Sequence, residues 1–179
     1  NSLKRERIDL VIHLAAFLGV KNTEKFELEC LNNNIISTKN LLDVCKKLKI
    51  QKIIFSSSSE VYGNLYKRQM REEDPLSPVS AYGVSKMCCE SYIKAYSKNS
   101  LLKYNIVRFF NVYGKNQKKD FVISKFAKLI LKKKVVNIFG NGNQIRSYCH
   151  VEDAVNGLIE VIYKGKKNTI YNIGNNLEP

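Results

Sequence analysis

The sequence predicts an α/β fold built on a doubly wound parallel sheet. Three observations lead there. Short apolar runs rich in β-branched residues alternate with longer stretches of helical periodicity, the pattern of right-handed crossovers between parallel strands. Several of those runs end in small or polar residues, as strands do where a doubly wound sheet opens on a ligand crevice. The chain's 179 residues and 44% hydrophobic content provide for a real core.

In order along the chain, Ile8 to Leu14 is a short apolar run closed by Ala15-Ala16, which reads as a buried parallel strand. From about 24 to 49, Leu28, Leu31, Ile35, Leu42 and Cys45 recur at steps of three, four and seven, giving a helix with one apolar stripe. Lys52 to Ser56 is a second strand, followed by a polar, proline-containing loop over about 64–79 and a helix over about 80–98. Tyr104 to Phe109 is a third strand, Phe121 to Lys133 is helical in pattern, and Val135 to Phe139 is strand-like. Gly140-Asn141-Gly142-Asn143 is a turn, Ile145 to Val151 an extended stretch, and Glu152 to Tyr163 a helix with Asp153 in its first turn. Thr169 to Ile173 is a last short strand.

Composition narrows the function classes. No stretch approaches the roughly 18 to 20 apolar residues of a membrane span, and Asn1 to Arg7 lacks the pattern of a signal peptide, so a cytoplasmic protein away from membranes is expected. Cys30, Cys45, Cys88, Cys89 and Cys149 show no metal-ligand spacing, which points to reduced thiols and no metal site. The net charge of +14 invites a nucleic-acid partner, but the lysines cluster at helix ends and on polar faces, as in Lys46-Lys47 and Lys132-Lys133-Lys134. Helix dipoles and surface solvation account for that placement, so no nucleic-acid partner is expected.

The chemistry lies in Tyr82-Gly83-Val84-Ser85-Lys86 and in the run Ser56-Ser57-Ser58-Ser59-Glu60-Val61-Tyr62-Gly63. A tyrosine and a lysine four residues apart share one face of a helix, where the ammonium would stabilise a phenolate and lower the tyrosine's pKa from about 10. That pair makes a general base. Strand ends at His13-Leu14-Ala15-Ala16, Ser56 to Glu60, and Arg108 to Gly114 are expected to converge on one crevice with it.

With these segments in hand, the chain resembles the extended short-chain dehydrogenase/reductases, specifically the NAD-dependent nucleotide-sugar epimerase and dehydratase family, over nearly its whole length. His13 to Ala16 looks like that family's segment after the fourth strand, and Asn34 to Leu42 like its helix with a structural asparagine. Ser56 to Gly63 resembles its catalytic Ser/Thr loop, Tyr82 to Lys86 its catalytic helix, Arg108 to Gly114 its asparagine segment, and Gly140 to Asp153 its diphosphate-binding segment. The resemblance implies a Rossmann-like sheet over 1–114 carrying the catalytic residues, and part of a small α/β substrate region over 115–179. It also implies roles. Tyr82 would take a proton from a sugar hydroxyl, Lys86 would hold that tyrosine's pKa down and bond the nicotinamide ribose, and Ser58 would orient the hydroxyl. Ala15, Ala16, Asn34 and Ser56 would join Tyr82 and Lys86 around NAD, while Ser58, Asn111 and Arg146 would hold the diphosphate sugar.

Glu60 bears on the subclass. Family dehydratases carry an Asp-Glu pair after the catalytic Thr; Ser59-Glu60 stands here instead, which disfavours 4,6-dehydration and leaves Glu60 as a catalytic carboxylate. An epimerase is the leading expectation, with a decarboxylase or dehydratase of the same family as the alternative. The family's Gly-x-x-Gly-x-x-Gly cradle for the dinucleotide pyrophosphate has no counterpart in this sequence. A chain opening at the fourth strand is therefore expected to be a fragment that binds NAD poorly, with an exposed sheet edge at 8–14. Activity and homodimerisation through the helices at 24–49 and 80–98 belong to the intact protein, and a non-catalytic nucleotide-sensing or scaffold role is the reading from another class.

Overall fold

Ile53 and Phe55 alternate with Ile54 along one apolar run, which therefore presents side chains to both faces of a sheet, and all three are at most 1% exposed. In the computed structural model, which describes residues 7–64, 69–138, 140–142 and 146–175, this run is strand β2 (Lys52–Ser58). It pairs in parallel with β1 (Leu10–His13) on one side and β3 (Lys103–Phe109) on the other. Strand β6 (Thr169–Ile173) pairs in parallel with β3, completing a four-stranded sheet of order β1-β2-β3-β6. Strands β4 (Val112–Tyr113) and β5 (Cys149–His150) form a second, two-stranded parallel sheet.

Helices cover both faces of the larger sheet. On one, α2 (Glu27–Lys47) and α3 (Ala81–Lys98) bring Leu42, Cys45, Cys89 and Ile93 against Ile53, Phe55 and Ile106. On the other, α5 (Val151–Lys164) sets Val161, Leu158 and Ile162 against Ile54 and Val107. Each fully buried aliphatic side chain contributes about 1.5–3 kcal/mol of burial energy. Two further α-helices among the described residues are α1 (Val20–Lys25) and α4 (Val122–Leu131).

The charge at helix ends follows the macrodipole. Helix α2 has Glu27 and Glu29 in its first turn and Lys46 and Lys47 in its last. Ser80 caps α3, its hydroxyl accepting the Gly83 N–H at 3.0 Å.

Three expectations are corrected. The helix over 24–49 is two helices divided at Phe26, whose φ of −126° is not helical. Its inward stripe is also more polar than the apolar pattern implied: Cys30, Asn34, Thr38, Leu42 and Cys45 are buried, while Leu28 is 72% exposed. Asn34 and Thr38 turn inward because each finds a hydrogen-bond partner there. Residues 135–138 are not a strand, since no sheet edge pairs with them among the described residues, and propensity alone does not make a strand. Phe139, Asn143 to Ile145, Asn1 to Glu6, loop residues 65–68 and Pro179 lie outside the described residues.

The larger sheet draws on both sides of the division expected at residue 114, because β6 and the packed face of α5 come from the second segment. Strand β1 lies at the sheet edge, with Ile12 43% exposed. All five cysteines are free thiols. Among the described residues no helix is long and apolar enough to cross a membrane, and no cluster of three or more His, Cys, Asp or Glu is placed to hold a metal ion.

Candidate functional site

The carboxyl ends of β2 and β3 open on a cavity of about 340 Å³ lined by Ser56 to Glu60, Tyr82, Phe109, Asn111 and Gln117, with Leu18, Gly19 and Tyr148 among its other walls. Its place beyond the strand ends is where doubly wound sheets collect ligands, and its volume falls in the range of small-molecule sites. Strand β2 ends at Ser58 and runs into a 3₁₀ turn, Ser59–Tyr62, in which the Glu60 N–H donates to Ser58 Oγ at 3.2 Å.

The start of α3 presses against that turn. A Cβ added at Gly83 would lie 2.7 Å from the Glu60 carbonyl oxygen, so glycine permits the approach that brings Tyr82 over the serine run. Gly63, with φ of 68°, closes the turn where a Cβ would meet the Ser77 carbonyl oxygen at 1.9 Å. The Ser80 hydroxyl donates to Glu60 Oε2 at 2.6 Å, joining the helix cap to the turn.

Lys86 lies beneath the cavity and is only 2% exposed. Its ammonium donates to the Ser56 carbonyl at 2.7 Å and sits 4.8 Å from the Phe55 ring centroid and 5.6 Å from that of Tyr82. Burial brings its pKa down from 10.5 to about 8. The expected lowering of Tyr82's pKa is not what this geometry gives. Burial pushes the phenol up, and the nearby Glu60 carboxylate pushes it further in the same direction. Desolvation of the phenolate outweighs the lysine, whose ammonium is engaged with a carbonyl.

Of the other residues expected in the site, Ser56, Ser58, Glu60 and Asn111 line the cavity, while Ala15, Ala16, Asn34 and Arg146 are not among its lining residues. The strand-end segment at β1 reaches the cavity through Leu18 and Gly19 instead. His13 is turned inward, 3.1 Å from Thr38 Oγ1, and burial lowers its pKa. Asn34 is a clip: it accepts the Phe17 N–H at 2.7 Å and donates to the Phe17 carbonyl at 3.1 Å and to Ser85 Oγ at 3.0 Å. With its amide engaged in this way and 4% exposed, it fixes the segment after β1 from behind the cavity. The Asn111 amide donates to the Ser147 carbonyl at 3.0 Å, fastening the segment that carries exposed Arg146 to the end of β3.

Behind the cavity lies a buried polar network that no sequence motif announces. Glu90 and Arg108, each 1% exposed, form a bidentate ion pair with contacts of 3.0 and 2.7 Å. Ser57 donates to Glu90 at 2.6 Å, and Arg108 donates to Tyr62 Oη at 2.8 Å. Tyr62 in turn donates to Asn172 Oδ1 at 2.8 Å. One signal was legible: Glu90 stands four residues beyond Lys86, on the same helical row.

Known proteins agree with this architecture. The sequence profile described as the NAD dependent epimerase/dehydratase family matches residues 1–174. A dTDP-D-glucose 4,6-dehydratase of Dictyostelium discoideum is 35% identical over 99% of this chain and 44% of its own length. A putative UDP-glucose 4-epimerase of Methanocaldococcus jannaschii is 37% identical over 96% of this chain and 57% of its own length. The crystal structure of a UDP-glucose 4-epimerase from Thermotoga maritima with UDP-glucose superposes with a TM-score of 0.90 at 31% identity, covering 97% of this chain and 57% of that one. The chain thus spans about half the length of the curated relatives it matches. With its parallel sheet, its cavity at the strand ends and a profile match over nearly all its residues, the chain belongs to the NAD dependent epimerase/dehydratase family.

Proposed function

We propose that the protein is an NAD-dependent nucleotide-sugar epimerase and that this chain carries its proton-handling half. The observation that carries this reading is the meeting of Ser58 and Tyr82 at one cavity with Lys86 buried beneath them. Tyr82, acting as its phenolate, takes the proton from a sugar hydroxyl and becomes the neutral phenol that burial favours, and Ser58 orients that hydroxyl and shares its proton. Lys86, a buried cation whose pKa of about 8 lies near neutrality, balances the charge of the phenolate before it accepts that proton and reaches the ribose of the nicotinamide. Asn111 and Arg146 take the diphosphate.

The residues present suit the nicotinamide end of NAD: a buried ammonium, a phenol and serine oxygens at a cavity. A glycine-rich cradle for the pyrophosphate is not among these residues, so tight NAD binding is proposed for the full-length protein. Bound NAD supplies hydride acceptance and return.

Glu60 supports epimerisation over dehydration. Among the described residues it is the one carboxylate lining the cavity, Ser59 stands beside it, and its Oε2 is engaged by Ser80. A dehydratase remains the second reading, favoured by the 35% identity to the Dictyostelium dehydratase. Exposed Leu28, Ile36 and Val44 on α2 and Tyr92 on α3 support a homodimer through these helices, in a cytoplasmic protein.

Mass spectrometry after incubation of the full-length protein with NAD and UDP-glucose, dTDP-glucose or UDP-glucuronic acid tests the assignment. The epimerase reading expects a product isomeric with its substrate, separable by chromatography. Loss of water overturns it for dehydration, and loss of carbon dioxide for decarboxylation.

A further inference from the structure

We propose that Ser57 and Glu90 are positioning residues, through which α3 sets the place of Ser58 opposite Tyr82. The proposal rests on reading Ser58 and Tyr82 as the proton-handling pair. Tyr82, Lys86 and Glu90 follow one another at four-residue steps, so they form a single row along the helix. That row meets the exit of β2 residue by residue. Lys86 holds the Ser56 carbonyl at 2.7 Å, Glu90 holds the Ser57 hydroxyl at 2.6 Å, and the next residue, Ser58, lines the cavity with Tyr82.

The ion pair behind the cavity ties both ends of the same segment. Glu90 accepts from Ser57 at its start, and Arg108 donates to Tyr62 Oη at its end, at 2.8 Å. Arg108 also donates to the Glu72 carbonyl at 3.0 Å, which fixes the following loop to the same point. Ser57, Tyr62, Glu90 and Arg108 are each at most 2% exposed, and neither Glu90 nor Arg108 is a lining residue of the cavity. A buried ion pair stabilises a fold less efficiently than apolar packing of the same volume. What this one adds is direction: a bidentate pair with fixed geometry brackets Ser58 to Val61 from both sides.

Steady-state kinetics of the full-length protein test this with variants that cut one tie and leave the ion pair in place. Ser57→Ala and Tyr62→Phe are each expected to lower kcat roughly 10- to 100-fold, because a misplacement of about 1 Å has that cost, while KM stays within about twofold. Ser57→Thr, which restores the hydroxyl, is expected to recover most of kcat. Tyr82→Phe is the control. If it abolishes turnover while Ser57→Ala and Tyr62→Phe keep wild-type kcat, the positioning role is overturned and the reading of the site stands. Loss of kcat in Ser57→Ala without recovery in Ser57→Thr also overturns it. Full activity in Tyr82→Phe overturns the reading of the site and the proposal with it.

Discussion

Helices α3 and α4 invert the usual relation between composition and burial. Helix α4, Val122–Leu131, is the more apolar, yet none of its residues is buried, and Ile130 and Leu131 are 64% and 85% exposed. Helix α3 buries Ser85, Lys86, Glu90 and Ser97 beside Cys89 and Ile93. The difference lies in partners. Each of those polar side chains on α3 meets a hydrogen-bonding group on another element or on its own backbone, so its desolvation is offset in part. Helix α4 instead lends the residues around its start, Phe121 to Ile123, to the cavity wall. The lesson is that the polar groups here are buried where geometry is needed.

Four substitutions test that contrast. The largest effect is expected at Glu90. Glu90→Ala leaves the Arg108 guanidinium buried without its carboxylate and should cost about 3–5 kcal/mol, read by urea denaturation of the chain. An ordinary surface value there would mean that the network tolerates water and that α3 is not rigid behind the cavity.

Lys86→Met comes next, with stability and activity moving in opposite directions. Because the folded-state pKa drops from 10.5 to about 8, the unfolded chain binds more protons between those values, so Lys86's contribution to stability rises with pH across that window. Below about pH 8 its buried charge costs about 3 kcal/mol. The apolar variant should therefore melt at an equal or higher temperature at pH 7, and its advantage should vanish above about pH 10.5. Turnover by the full-length protein should fall by about 100-fold or more. A lower melting temperature at pH 7 would show that the bond to the Ser56 carbonyl outweighs desolvation.

Ser80→Ala removes the cap of α3 and the hydroxyl that engages Glu60, and about 1 kcal/mol of stability should go with it. The smallest effect belongs to α4. Leu131→Ser, on an exposed apolar position, should stay within about 0.5 kcal/mol of the parent in the same denaturation assay. A loss comparable to that of Ser80→Ala would mean that α4 is held by more than its half-buried side.

How legible each element was depended on how local its cause is. Strand β6 was read to the residue, and α3 to within one, because a short apolar run and a helix following a polar, proline-containing loop both have local boundaries. The cavity residues Ser56, Ser58, Glu60, Tyr82 and Asn111 were legible from motifs at strand and helix ends, where residue type follows chemistry. Asn34 was legible as a structural asparagine, but nothing in sequence says which backbone a buried amide will clip; Phe17 is 17 residues away. Val135 to Ile138 has strand composition but no strand to pair with among the described residues.

The alternation of strands and helices, the serine run before a Tyr-x-x-x-Lys pair, and through them the family, are written in the order of residues alone. Those are local properties: apolar period, capping and spacing along one helix. Packing in three dimensions is what turns Lys86 to a carbonyl, pushes Tyr82's phenol up, and sets Glu90 and Arg108 on either side of the serine run. Desolvation and ion pairing depend on what packs against a group, and residues that meet across 18 or 46 positions of chain leave no periodic trace in the sequence.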